Sequence, residues 1–246
     1  MLEDTGERII PPKEGEVSFL FKRHRMAYLF ASKFSPKKIV LDAGCGTGYG
    51  SQILAETEAK VYGIDTSFQA IKYATETYPH DNSKFIVMDV NLLGFPNCTF
   101  DLIVSFQVIE HMKELDCYLN ELIRVLKDEG TILLSTPNVQ EKQKRKGTDN
   151  IFHFNELTYE EAKKLMHTYF DQVEFYGTHY RKSNLLRTFV QSLFFYHQIG
   201  RMIPRRNVIK KIAKSALNLD DFTITKNNIK KAMDLIIFAR HPRKLT

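Results

Sequence analysis

Only three cysteines occur in the 246 residues, Cys45, Cys98 and Cys117, and they are too scattered for a disulfide framework or a zinc site. A reducing, cytoplasmic setting is therefore expected. No stretch approaches the roughly 18 uninterrupted apolar residues of a membrane span. The opening MLEDTGERII has neither a basic leader nor an apolar run, so no signal peptide is expected there. Internal repeats and low-complexity tracts are also missing. What is present is ordinary: 43% hydrophobic and 26% charged residues, enough apolar material for a sizeable core and against global disorder. The length suits a single domain over 1–246.

The net charge of +6 hides a division. Residues 178–246 carry 15 Lys and Arg against 3 Asp, while the preceding 177 residues carry 20 basic and 26 acidic groups. Such asymmetry marks either a surface that meets anions or a solvated helical face.

Short apolar runs alternate with helix-like segments from residue 38 to about 137. Lys38–Asp42, Lys60–Asp65, Phe85–Asp89, Phe100–Ser105 and Thr131–Ser135 read as strands. Ser67–Tyr78, with Ala70, Ile71 and Ala74 at helical spacing, reads as a helix that Ser67 could cap. Leu115, Tyr118, Leu119, Leu122, Ile123 and Val125 mark another, which the Glu129-Gly130 break should end. Alternation of this kind implies a mostly parallel sheet with helices on both faces, an α/β fold. Beyond it, Gln140–Gly147 is polar and basic and reads as a loop. Thr158 to Glu161 is a capping box opening a helix. Asp171–Tyr176 and Asp234–Ala239 complete seven strands.

The chain divides into a lead-in and helix (1–36), a core (37–137), a loop, helix and strand (138–179), a basic helical insertion (180–225), and a final strand and tail (226–246). Within the insertion, Leu185–Leu217 combines an apolar stripe, Phe189, Leu193 and Tyr196, with Arg201, Arg205, Arg206 and Lys210. It suits either a lid over a pocket or a helix lying on an anionic membrane surface.

Val40-Leu-Asp-Ala-Gly-Cys-Gly-Thr-Gly48 joins the first strand to the first helix of the core. Gly44, Gly46 and Gly48 allow a sharp turn and close approach of backbone to a ligand. Such a turn serves dinucleotides too, but Asp65 ends the next strand, where an acid can accept hydrogen bonds from ribose hydroxyls. Asp89 lies at the end of the third strand. The third glycine comes one residue earlier than in the dinucleotide pattern, which favours a ligand without a diphosphate.

On these segments the sequence resembles the class I S-adenosylmethionine-dependent methyltransferases. VLDAGCGTG is similar to their first motif, YGIDTS to the second, and FIVMDV to the adenine-contacting one. FDLIVSFQVIEHM is similar to the fourth motif of the ubiquinone-type small-molecule branch, and RVLKDEGTILLSTPN to the strand and turn after it. The stretch Thr5–Pro11, His24-Arg25 and NIFHFNEL (Asn150–Leu157) are similar to methyltransferases found among cell-surface polysaccharide genes. The resemblance covers about residues 5–177 and the last strand, and implies a Rossmann-like fold. It also implies that Gly44, Gly46 and the nearby backbone bind the methionine part of S-adenosyl-L-methionine, with Asp42, Cys45 and Gly48 among the cofactor-binding residues. Asp65 would then hold the ribose, with Thr66 also in the cofactor site, Asp89 and Val90 would contact the adenine, and Phe106 would lie near the sulfonium.

Methyl transfer from a sulfonium is a direct displacement, so the protein chiefly aligns the reactants and excludes water. An alcohol or phenol acceptor gains from a base, and His111, just past the fourth strand, suits that task. Glu110 is a second candidate, or a buttress for the first loop. The resemblance puts His153 near the acceptor. No persuasive set of carboxylates is clustered near the acceptor, so no metal is expected. Ser105-Phe-Gln-Val108 replaces the Pro-Pro-Tyr-like motif of base amine methylation. Neither Cys98 nor Cys117 falls where a carbon-5 pyrimidine nucleophile must. O-methylation of a small-molecule, sugar or lipid-linked acceptor is the expectation, with peripheral membrane contact as a further partner surface. The alternatives are an RNA methyltransferase gripping through the basic region, disfavoured by the lack of an RNA-binding module, and a cofactor-binding protein without catalysis.

Overall fold

The computed structural model describes residues 9–12, 18–144, 152–180 and 221–243. The expectations for Leu185–Leu217 therefore lie outside the described residues. Among the described residues no helix is long and apolar enough to cross a membrane.

Helix α1 (Phe19–Ala31) leads into β1 (Ile39–Ala43), α2 (Tyr49–Ala55), β2 (Lys60–Asp65), α3 (Phe68–Thr77) and β3 (Ser83–Val87). Then follow β4 (Phe100–Phe106), α4 (Leu115–Val125), β5 (Leu126–Pro137), α5 (Val139–Lys144), α6 (Tyr159–Tyr169), β6 (Phe170–Tyr180), β7 (Phe222–Thr225) and β8 (Asp234–Pro242). The helix starts obey their local signals. Ser67 Oγ accepts from Ala70 N at 3.3 Å, and Thr158 with Glu161 forms the expected capping box.

The eight strands run in the order β3-β2-β1-β4-β5-β8-β6-β7. The first five are mutually parallel, and β8 lies antiparallel between β5 and β6. Both faces of the central strands are covered, which is why β1, β4 and β5 are near-continuous apolar runs. On one face, Tyr118, Leu119 and Leu122 of α4 and Ala162 and Met166 of α6 pack on Ile64, Ile103, Ile132 and Ile237. On the other, Ala27, Tyr28 and Ala31 of α1 and Leu54 and Ala55 of α2 pack on Val40, Val61, Val104 and Leu133. Each fully buried side chain such as Phe100 or Leu102 contributes roughly 1.5–3 kcal/mol. Strand order reverses between β1 and β4, and ligands of open α/β sheets bind at the carboxyl ends beside such a reversal.

Four details differ from the sequence expectation. An eighth strand, β7, falls in the stretch read as helical insertion. Its Phe-Thr-Ile-Thr pattern is strand-prone, and Phe222 is buried against Phe19 and Tyr180. Helix α4 ends at Val125 rather than at Glu129-Gly130, because pairing with β4 already begins at Leu126 and resumes at Thr131, with the residues between looped out. Strand β3 ends at Val87, so Asp89 lies two residues beyond it. Val139–Lys144 is a short helix where a loop was expected, begun by Asn138, whose Oδ1 accepts from Gln140 N at 3.3 Å.

Candidate active site

The turn after β1 has φ of +82° at Gly44, +54° at Gly46 and +84° at Gly48. Its amides Gly44 N and Cys45 N both donate to the Ile64 carbonyl at 2.8 Å, which ties the turn to the end of β2. The three glycines serve different ends. A Cβ at Gly44 would meet Val108 Cγ2 at 2.4 Å, and one at Gly48 would meet Ala74 Cβ at 2.5 Å. A Cβ at Gly46 would meet nothing within 4 Å. Gly44 and Gly48 thus allow close packing, whereas Gly46 borders open space.

That space is a cavity of about 470 Å³, within the usual size for small ligands. Along its wall run Gly44, Cys45, Gly46 and Thr47 of the turn, then Asp65, Thr66 and Val90, then Phe106, Gln107, Val108 and His111. Asp65 Oδ2 accepts from Gly46 N at 3.0 Å and Oδ1 from Ser67 N at 2.8 Å. The acid therefore locks the turn to the start of α3 while lining the cavity.

Three of the residues expected to touch a cofactor are not on this wall. Asp42 is fully buried beneath the turn, where Ser51 Oγ donates to it at 2.6 Å and Tyr28 Oη at 3.1 Å. Burial pushes its carboxyl up to about 7 despite those two donors, and Asp65 adds to the rise. Gly48 packs on α3. Asp89 is exposed and accepts from Asn91 N at 2.8 Å and Asn91 Nδ2 at 3.0 Å, capping its own turn. Phe106 is buried on the cavity wall with its ring against Tyr28, centroids 4.9 Å apart.

The sequence reading missed the far wall, which α1 supplies. His24 and Tyr28 line the cavity with Tyr49 and Ile9. His24 Nδ1 is hydrogen-bonded to the Tyr49 hydroxyl, while Nε2 is sealed from solvent without a hydrogen-bond partner. Burial drives the His24 imidazole down to about 4, partly countered by the Phe106 backbone, so the ring is neutral near pH 7. The only signal for it was the His24-Arg25 pair in the lead-in. Gln107 was also missed. It holds a left-handed φ of +57° while its amide donates to Ser135 O at 2.9 Å.

At the end of β4 a single 3-10 turn, Ile109–His111, presents Glu110 and His111. Residues 152–155 dock on it, because Phe154 N and Asn155 N both donate to the Glu110 carbonyl, at 2.8 and 3.1 Å. The docking brings His153 against His111, ring centroids 4.9 Å apart and nearly perpendicular. His111 and Phe152 line the cavity mouth, whereas Glu110 is 1% exposed beneath them. Burial pushes the Glu110 carboxyl up to about 8, with Asp234 adding to the rise. All three sequence candidates for catalysis are therefore gathered in one place. One ligand atom from each lies within 4.8 Å of the others, a grouping the sequence did not reveal.

Sheet order, glycine turn and strand-end acid together define a Rossmann-like methyltransferase of class I. Comparison with known proteins agrees. Residues 34–192 match a family model described as a methyltransferase domain, and the chain belongs to the class I S-adenosylmethionine-dependent methyltransferase family. It is 34% identical over 165 residues to a protein of Mycobacterium tuberculosis named a probable S-adenosylmethionine-dependent methyltransferase, a match covering 66% of this chain and 58% of that one. The chain thus spans less than two thirds of that relative's length. It is also 40% identical over 105 residues to the 2-methyl-6-phytyl-1,4-hydroquinone methyltransferase of Synechocystis, covering 42% and 33% of the two chains. Among solved structures, an S-adenosylmethionine-dependent methyltransferase of Thermotoga maritima shares the fold with a TM-score of 0.61 at 16% identity, over 91% of this chain and 93% of that one.

Proposed function

We propose that the protein transfers a methyl group from S-adenosyl-L-methionine to an oxygen of a small-molecule, sugar or lipid-linked acceptor. The observation that carries the reading is one continuous cavity running from the glycine turn past Asp65 to His111. The residues present fit the cofactor: Gly46 leaves a cradle that any Cβ would enter, and Asp65 lines the wall beside it. The chemistry S-adenosyl-L-methionine supplies when bound is an activated methyl group.

The chain's own residues then orient the reactants and keep water out. Phe106, Val108, Met112 and Phe152 make the acceptor end largely apolar, and His111 is the imidazole facing it. That combination suits an apolar or aromatic acceptor carrying a hydroxyl whose proton must be removed. The Synechocystis relative is named for a hydroquinone, which has that character. Tritiated-methyl transfer to hydroxyl-bearing quinols, glycosides and polyprenyl-linked sugars tests the reading. His111→Ala should keep cofactor affinity and lower turnover by about 10²–10⁴, the usual worth of assisted proton transfer. Unchanged turnover in that variant would take the proton step away from His111.

A further inference from the structure

Glu110, His111 and His153 come from two segments about forty residues apart, yet one donor atom of each lies within 4.8 Å of the others. Nitrogen and oxygen ligands about 2.0–2.2 Å from a zinc-like ion lie at most about 4.4 Å from one another. In a tetrahedral shell the separation is roughly 3.3–3.6 Å, so the three donors must draw together by side-chain rotation when an ion enters.

Each imidazole has its Nδ1 against an oxygen. His111 Nδ1 lies 3.0 Å from the Phe152 carbonyl, and His153 Nδ1 lies 2.7 Å from Glu156 Oε1. A carbonyl or carboxylate only accepts, so each Nδ1 carries a proton, and in the neutral ring Nε2 then holds the lone pair. This is the arrangement that fixes metal-binding histidines elsewhere: one ring nitrogen donates to a carbonyl or carboxylate while the other ligates. Glu110 supplies an independent sign. Its side chain is 1% exposed, and its Oε2 makes no hydrogen bond of good geometry, although the buried Thr136 hydroxyl lies beside the carboxyl. A buried carboxylate oxygen left unsatisfied is costly unless something cationic or hydrogen-bonding meets it.

We propose that Glu110, His111 and His153 form a binding site for a single divalent transition-metal ion at the acceptor end of the cavity. Two imidazoles and one carboxylate select zinc, iron(II) or cobalt(II) over magnesium and calcium, which prefer all-oxygen shells. Three protein ligands also leave a position open, as catalytic rather than structural zinc sites do. His111 lines the cavity, so the site sits at its wall. The consequence for catalysis rests on the methyl-transfer reading, although the binding itself does not. With the ion bound, His111 is a ligand and no longer a base; an acceptor hydroxyl at the open position gives its proton to water more readily, as metal-bound water does. Its oxygen keeps the electron pair that would form the bond to the methyl carbon as the carbon–sulfur bond breaks and its electrons stay on sulfur, leaving S-adenosylhomocysteine.

Cobalt(II) is the probe. Untagged protein, stripped with a chelator and dialysed, is titrated with cobalt(II) while its visible absorption is followed, and zinc is then added. The site predicts one equivalent bound, an intense low-coordinate cobalt band, and displacement by zinc. Glu156→Gln, which replaces the carboxylate beside His153 Nδ1, should weaken binding by roughly 10–100-fold, the usual cost of losing such a support. His111→Ala and His153→Ala should each weaken it further and abolish the band. Far-ultraviolet circular dichroism and cooperative thermal unfolding check that each variant is folded, and the histidine variants spare reliance on the fully buried Glu110. No saturable cobalt binding by folded wild type would overturn the proposal, as would binding unchanged in both histidine variants, which would place the ion on other surface histidines. If the wild type binds cobalt as described but not S-adenosylhomocysteine, the metal site stands and the methyl-transfer reading falls.

Discussion

Replacing Asp65 by alanine removes a carboxylate with two duties. One is structural, since its oxygens accept from Gly46 N at 3.0 Å and Ser67 N at 2.8 Å. The other, on the proposed function, is to accept from the ribose hydroxyls. A hydrogen bond to a charged group is worth about 1.5–3 kcal/mol, so affinity should fall from about tenfold to somewhat over a hundredfold. Loosening of the turn could weaken binding too, and a cycle with a truncated ligand separates the two. Calorimetry would compare S-adenosylhomocysteine with its 2′,3′-dideoxy analogue in wild type and Asp65→Ala. If Asp65 holds the hydroxyls, the analogue binds wild type about as weakly as the full ligand binds the variant. The substitution then costs the analogue little more. Equal losses for both ligands would place the whole effect in the turn and refute the ribose assignment.

The glycine turn makes a second prediction. Gly44→Ala incurs both a left-handed backbone, about 1–2 kcal/mol, and overpacking against Val108, about 1–3 kcal/mol, whereas Gly46→Ala incurs only the first. Urea denaturation should show Gly44→Ala clearly the less stable, and equal losses would contradict the close approach. A third prediction concerns pH. The Asp42 carboxyl is raised from 3.8 to about 7, so the folded state holds a proton that the unfolded chain has lost. The stability it contributes is full below about pH 3.8 and is lost as pH rises through about 7. Asp42→Asn should therefore gain stability relative to wild type as pH rises across that window, and a constant difference would mean the carboxyl is not so shifted. His24 runs the other way: lowered from 6.5 to about 4, its contribution is lost as pH falls through that range. His24→Gln should accordingly gain on wild type as pH falls from about 6.5 to about 4, read by the same denaturation series.

The alternation of strands and helices, the glycine turn and Asp65 were legible because each is written in a short stretch of residues. Asp42 and Asp89 show where such reading stops. Strand-end position suggested cofactor contact for both, yet Ser51 and Tyr28 enclose the first and Asn91 engages the second. Which neighbours satisfy a carboxylate is a tertiary fact. The far wall of the cavity, His24, Tyr28 and Tyr49, was hidden for the same reason, since α1 reaches it by packing across the sheet. Glu110, His111 and His153 were each singled out, but their meeting depends on two backbone hydrogen bonds from Phe154 and Asn155 to the Glu110 carbonyl, which no spacing rule encodes. Strand β7 was lost because four residues are too few for periodicity to declare itself.

The central claim is that the open space beside Gly46 is where S-adenosyl-L-methionine binds. The most direct measurement is a calorimetric titration of S-adenosylhomocysteine into wild type and Gly46→Arg, with thermal unfolding of both as the folding control. A Cβ at residue 46 would meet nothing within 4 Å, so arginine can enter that space without disturbing the core, although φ of +54° makes the backbone less stable. The account predicts saturable binding of one ligand per wild-type chain and none to a folded Gly46→Arg. Equal affinity in the folded variant, or no binding to wild type, would contradict it.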